Sequence, residues 1–224
     1  MGIKKTYNSL LLFKHFIIFY ILWSFTEIVM YPFLRSQDDL LCDACSPIWK
    51  IIIWLGPVVF ILKHKQYPVL IYLKLNNLTF KIMIWGLLSA CLIFGYNLFM
   101  HGLFYGNIAI SPKLTITQWI NTVLVAGLIE EILFRGYFLQ TMKKSFSFWK
   151  ANVLVSLMFV SIHFPIWYVN ADHIAHHVVG WLQLIAFIFF FSILQGWLFC
   201  KSWSLWPCIM MHIMNNFAAI AFYG

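Results

Sequence analysis

Of the chain's 224 residues, 62% are hydrophobic, 20% aromatic and only 10% charged, whereas charged residues make up about a quarter of an ordinary soluble domain. The formal net charge of +8 comes from lysines spread over separate segments, with no basic patch interleaved with aromatics, which argues against a nucleic-acid-binding surface. Such a composition belongs to an integral membrane protein, here an all-α polytopic transmembrane helix bundle of about seven spans.

Crossing the hydrocarbon core as a helix takes about 17 to 25 apolar residues. The first such run, Phe16–Leu34, is too long for a signal-peptide core and has no small-residue cleavage site before the acidic stretch that follows, so it reads as a retained span. Met1, Gly2 and Thr6 fit an N-myristoylation pattern, read as chance because a chain held by several spans needs no lipid anchor. Glu27, late in this span, reads as a carboxylate snorkelling to the interface. The loop after it holds Cys42 and Cys45, a single C-x-x-C between acidic residues. Without a second pair or a βαβ setting, it implies an exposed disulfide or two free thiols rather than zinc or a redox centre. Cys91, Cys200 and Cys208 sit in or beside apolar runs and read as small core residues.

A shorter run, Ile48–Leu62, comes second. Lys81–Met100, Gln118–Gln140, Ala151–Val169, Trp181–Cys200 and Leu205–Phe222 complete the set of seven. The loops between them alternate in charge. Lys4 and Lys5 precede the first span; Arg35 and Lys50 are outweighed by Asp38, Asp39 and Asp43 in the next loop; Lys63, Lys65 and Lys74 make the third basic. Lys113 stands alone in the fourth. Lys143, Lys144 and Lys150 follow in the fifth, Asp172 in the sixth without Lys or Arg, and Lys201 in the seventh. By the positive-inside rule the N-terminus is cytoplasmic and the C-terminus outside. The cluster Asp172, His173, His176, His177 then falls on the outer face and reads as surface histidines rather than an accessory metal site. Lysine far outnumbers arginine, and Phe and Ile are abundant, which hints at an AT-rich bacterial genome.

Three of the runs carry side chains that lipid does not tolerate without a reason. Glu130, Glu131 and Arg135 lie in VLVAGLIEEILFRGYFLQ, and a charge at the bilayer centre costs at least about 2.5 to 3.5 kcal/mol, so an intramembrane acid is a functional-site hypothesis by default. Phe159 with His163, and His212 with Asn216, are spaced i,i+4 and share a helix face. At a rise of about 1.5 Å per residue, Glu130, His163 and His212 lie about 15, 18 and 11 Å from the cytoplasmic ends of their spans. Three helices can therefore bring their polar groups to one depth, open toward the cytoplasmic half of the bilayer.

In this order, EEILFR, FVSIH and HIMNN resemble the EExxxR, FxxxH and HxxxN signature of the CAAX prenyl endopeptidase and bacteriocin-processing family, also called the CPBP or Abi family. The resemblance runs from Gln118 to the C-terminus, which divides the chain into N-terminal transmembrane helices (1–117) and a catalytic helical core (118–224). It implies that Glu130 and His163 activate water, while His212 and Asn216 stabilise the tetrahedral intermediate. The residues read the same way. Arg135 is one turn from Glu131 and pairs with it, so Glu131 and Arg135 support the site while Glu130 acts as general base; by the resemblance Phe159, the Phe of FxxxH, is a further supporting residue. His212 and Asn216 present an imidazole N–H and an amide NH₂ to a developing oxyanion.

The expected activity is an intramembrane endopeptidase using glutamate-activated water, with no cofactor and no covalent intermediate. Its partners are the lipid bilayer and a peptide or membrane-protein substrate, with no nucleic acid. If the source is bacterial, a peptide of bacteriocin immunity or pheromone processing fits better than a prenylated protein. Two histidines and a carboxylate are also a donor set for zinc, so a zinc metalloprotease is the alternative mechanism, although H-E-x-x-H is absent and Asn216 is a better donor than ligand. Packing glue between helices, a CAAX prenyl protease, a non-catalytic immunity protein and a proton-coupled transporter are the rival readings. No Gly-rich nucleotide loop, no G-x-S-x-G elbow and no internal repeat supports a pump, a serine hydrolase or an inverted-repeat transporter.

Overall fold

A computed structural model of the protein describes residues 9–106, 116, 118–170 and 178–223. The myristoylation pattern, Lys4, Lys5, Lys113 and the Asp172–His177 cluster lie outside the described residues. The protein is all-helical, 88% helix, with no strand among the described residues. In chain order the helices are α1 (Ser9–Phe25), α2 (Tyr31–Gln37), α3 (Asp39–His64), α4 (Val69–Tyr72), α5 (Phe80–Tyr105), α6 (Gly127–Glu131), α7 (Gln140–Met142), α8 (Phe148–Ser161), α9 (Phe164–Val169), α10 (Val178–Ser202) and α11 (Trp206–Tyr223). Thr26–Met30, Gln118–Ala126 and Ile132–Leu139 are π-helical. The first of these joins α1 to α2, and the other two flank α6.

Among the described residues, five stretches are long and apolar enough to span a membrane: Leu10–Gln37, Asp39–His64, Phe80–Phe104, Phe148–Val169 and Val178–Ser202. The second span is therefore full length, not the short run expected from Ile48–Leu62. Asp38 Oδ1 accepts the N–H groups of Leu40 and Leu41 at 2.8 and 3.2 Å, an N-cap that starts α3 before the cysteines. Pro47 removes the N–H that the Asp43 carbonyl would accept, and the Ser46 hydroxyl donates to that carbonyl at 3.4 Å instead. Cys42 and Cys45 thus belong to a helix rather than a loop. Both are free thiols; Cys45 is exposed, and Cys42 is buried with its Sγ 3.8 Å from the Tyr31 carbonyl. Lys50, counted as a loop charge, also lies within α3, its Nζ 5.3 and 5.0 Å from the ring centres of Trp23 and Trp54. Glu27 does not snorkel: it sits in the π-helical turn after α1 and is only 8% exposed.

The two remaining expected spans, Gln118–Gln140 and Leu205–Phe222, are helical but more polar, because they carry the EExxxR and HxxxN side chains. Between the loops near Asn77 and Ser204, in the second of the units described below, there is a hydrogen-bonded clasp. Ser204 Oγ donates to Asn77 O at 2.6 Å, Asn77 Nδ2 to Trp203 O at 3.1 Å, Trp206 Nε1 to Leu75 O at 2.9 Å and Leu205 N to Lys74 O at 3.2 Å. A Cβ on Gly136 would lie 3.1 Å from Leu73 Cδ2 and 3.4 Å from Leu205 Cδ2, which puts this part of Gln118–Gln140 beside the same loops. The 18 residues of α11 rise about 27 Å, enough for a seventh span.

Close contacts group the chain into two units. One comprises Met1–Gly56 with Tyr137–Trp197, the other Pro57–Gly136 with Leu198–Gly224. In the first, Trp54 is fully buried, with Phe19 and Trp23 edge-on to it at 5.0 Å each. Asn152 of α8 donates to Ile193 O of α10 at 2.9 Å and its side chain lies against Gly196, where any larger residue would clash. In the second unit α11 packs most extensively on α5 and also on α6 and the π-helical turns before it. Thr79 caps α5 by accepting from Ile82 N at 3.4 Å, and Gly106, at φ +70°, ends it.

Candidate active site

The site of the second unit is built where α6 and α11 nearly touch. A Cβ on Gly127 would stand 2.9 Å from Ile213 Cγ1, 3.1 Å from its N and 3.3 Å from its Cα. Only a residue without a side chain lets the two backbones come this near, the device by which small residues bring membrane helices together. Gly127 precedes Glu130 by one turn and Ile213 follows His212, so this approach delivers the acids to the imidazole.

Glu131 Oε1 accepts two donors there. Arg135 Nη1 lies 2.9 Å away, and His212 Nδ1 2.7 Å away. Glu131 and Arg135 are 0% and 1% exposed. The other carboxylate oxygen, Oε2, has no hydrogen-bond partner among the described residues. The i,i+4 pair read from the spacing is therefore present, but its carboxylate also orients the histidine. With Nδ1–H donated to Glu131, the ring turns Nε2 toward Glu130, whose Oε2 is 3.8 Å away. That is ion-pair distance, beyond a direct hydrogen bond. The two glutamates, about 100° apart in an ideal α-helix, thus both flank one imidazole instead of facing different ways.

Arg135 pairs with Glu131 at 2.9 Å in the interior. Buried ionic groups persist when they are paired and hydrogen-bonded. At about 1.5 Å per residue, His212 lies about 9 Å along α11 from Trp206, where that helix leaves the loop clasp.

Asn216, one turn beyond His212, is half-buried, and its Nδ2 donates to Thr122 O at 2.9 Å. One of its two amide protons is thereby committed to the backbone before Glu130. Cys208, one turn before His212, is fully buried within electrostatic reach of Glu131 and Arg135. It is the small core residue its setting implied.

Phe159 and His163 belong to the first unit. His163 is not inside a continuous helix as its motif suggested. Pro165, with no N–H, ends α8 at Ser161, and α9 begins at Phe164. In this break Trp23 Nε1 donates to Ile162 O at 3.0 Å. His163 Nδ1 donates to Phe159 O at 2.8 Å, which leaves Nε2 as the acceptor nitrogen of the neutral ring. The Phe159 ring stands edge-on to the imidazole at 5.1 Å and Trp167 lies on another side at 5.6 Å. Phe159 thus sets His163's tautomer through its carbonyl and its tilt through its ring. Among the described residues, no group of three or more His, Cys, Asp or Glu side chains is arranged to hold a metal ion.

The family comparison falls on these residues. Residues 112–218 match the Rce1-like family, type II CAAX prenyl endopeptidase Rce1-like. The matched segment takes in EExxxR, FxxxH and HxxxN, so this part of the chain is similar to the family of membrane proteases that the three motifs resemble. It leaves α1 to α5 outside. No curated protein and no solved structure matches the chain.

Sequence reasoning missed the Glu131–His212 bond, the Gly127 approach and the Thr122 carbonyl. Gly127 left a signal, a glycine one turn before the two acids. The other two left none, because they join helices about 80 or more residues apart in sequence.

Proposed function

We propose that this protein is an intramembrane endopeptidase in which Glu130 activates a water molecule for attack on a peptide carbonyl. The observation that carries this reading is the buried chain Arg135–Glu131–His212, which aims Nε2 of His212 toward Glu130. In the proposed mechanism Glu130 takes the proton of the attacking water, with the Nε2 of His163 as a second base assigned by motif. The oxyanion then accepts hydrogen bonds from Nε2–H of His212 and Nδ2–H of Asn216. Because Nδ1–H is committed to Glu131, His212 donates from Nε2 only as the imidazolium. Collapse of the tetrahedral intermediate returns a proton to the leaving amine and breaks the C–N bond.

For the substrate we propose a short amphipathic or leader-bearing peptide of a bacterial cell membrane, as in bacteriocin immunity or pheromone processing, reaching the site from the cytoplasmic side. A prenylated CAAX protein is the second reading, favoured by the description of the matching family. Purified protein in proteoliposomes, given a farnesylated CAAX peptide and an unprenylated amphipathic peptide, decides between them by mass spectrometry of the products. Cleavage of either should fall at least about 100-fold in Glu130→Gln, the low end of general-base contributions. Near-normal turnover in that variant would end the mechanism proposed here.

A further inference from the structure

α5 lies outside the Rce1-like match, yet it carries a polar side chain aimed at the site-bearing helix. Asn97 is buried in this otherwise apolar span. Its Nδ2 donates to Ile93 O, one turn earlier, at 2.9 Å and to Asn215 Oδ1 on α11 at 3.3 Å. With its oxygen accepting from Asn97, the amide of Asn215 is held in one orientation and has both protons of its NH₂ group to offer. Asn215 makes no other hydrogen bond among the described residues and is half-buried.

Its neighbour is held the opposite way round, for Asn216 is anchored through its nitrogen to Thr122 O. α11 therefore carries two adjacent amides, one locked by its oxygen and one by its nitrogen, from two different neighbours. At about 100° per residue, Asn215 and Asn216 lie about 60° to one side and about 40° to the other of His212, so all three share a face. A peptide cut within the membrane must be unwound there, and each carbonyl freed from its helix needs a donor because lipid supplies none. An amide one turn from the catalytic histidine, whose NH₂ makes no hydrogen bond among the described residues, meets that need.

We propose that Asn215 is a substrate-positioning donor, binding a backbone carbonyl of the unwound peptide next to the scissile bond, and that Asn97 positions it. The proposal rests on the endopeptidase reading. Asn215→Asp is the discriminating variant: the carboxylate still accepts from Asn97, so the α5–α11 link survives, but no proton is left to donate. Loss of one such hydrogen bond should raise KM about fivefold, with kcat held within about twofold. Asn97→Ala should show the same rise, and combining it with Asn215→Asp should add nothing further.

Measuring Kd for the fluorescently labelled farnesylated and amphipathic peptides on the non-cleaving Glu130→Gln protein repeats the test without turnover, and the same fivefold weakening is expected. An unchanged KM and Kd in Asn215→Asp would reduce the contact to helix packing and overturn the inference, even if the wild type cleaves peptide. A kcat fall of 100-fold or more, the signature of a lost oxyanion donor, would overturn it as well. Failure of the Glu130→Gln protein to bind either peptide would sink it outright. Failure of the wild type to cleave while binding still weakens in Asn215→Asp would instead count against the endopeptidase reading alone.

Discussion

Replacing Glu131 with Gln keeps the shape of the side chain and removes one charge from the buried cluster. Arg135 at 2.9 Å and His212 at 2.7 Å converge on the same oxygen, so the substitution weakens both contacts at once. Removing one partner of a buried ion pair costs about 3 to 5 kcal/mol. For a chain of this size about 1 kcal/mol moves Tm by roughly 2 to 4 °C, so the melting point should fall by about 6 to 20 °C. The 11 tryptophans make intrinsic fluorescence in detergent micelles a suitable assay. Adding Arg135→Met removes the cation that loses its carboxylate, and the double variant should regain more than half of the lost stability while staying inactive, since His212 is still without its orienting carboxylate. If Glu131→Gln melts within about 2 °C of the wild type, or the double variant is no more stable than the single one, charge pairing is not what holds this cluster.

Gly127→Ala should separate α6 from α11 by a few tenths of an ångström, because the new methyl meets the Ile213 backbone at 3.1 to 3.3 Å. Overpacking of this kind costs about 1 to 3 kcal/mol, partly offset by the better helix propensity of alanine, and cleavage should fall by more than the change in Tm accounts for. Dialysis against a strong chelator should leave activity intact; one zinc per chain by elemental analysis, with activity lost on chelation and restored by metal, would favour the metalloprotease alternative. In a chain whose five cysteines are changed to Ser, a membrane-impermeant thiol reagent applied to intact cells should label Asn170→Cys but not Ser145→Cys. The reverse pattern would move substrate access to the outside.

The sequence by itself determined the membrane class, the helical fold and the residues of the three motifs, because lipid permits so few exceptions. Every acid, histidine or asparagine inside an apolar run stands out against its background, and the i,i+4 spacing of Glu131 with Arg135 is a local property of one helix. Local chemistry also ends α8 near His163, through Pro165, a signal that the reading of Ala151–Val169 as one run passed over. Tertiary structure decided what the period of a helix does not contain. Glu27 looked like an interfacial carboxylate and is buried in a π-helical turn, since burial depends on neighbours far along the chain. Cys42 and Cys45 looked like a loop, yet Asp38 and Ser46 supply the cap and the carbonyl partner that carry the helix through them. Glu131 looked like a structural partner of Arg135 alone. Its bond to His212 joins residues 81 apart in sequence and exists because Gly127, without a side chain, lets two backbones close to contact.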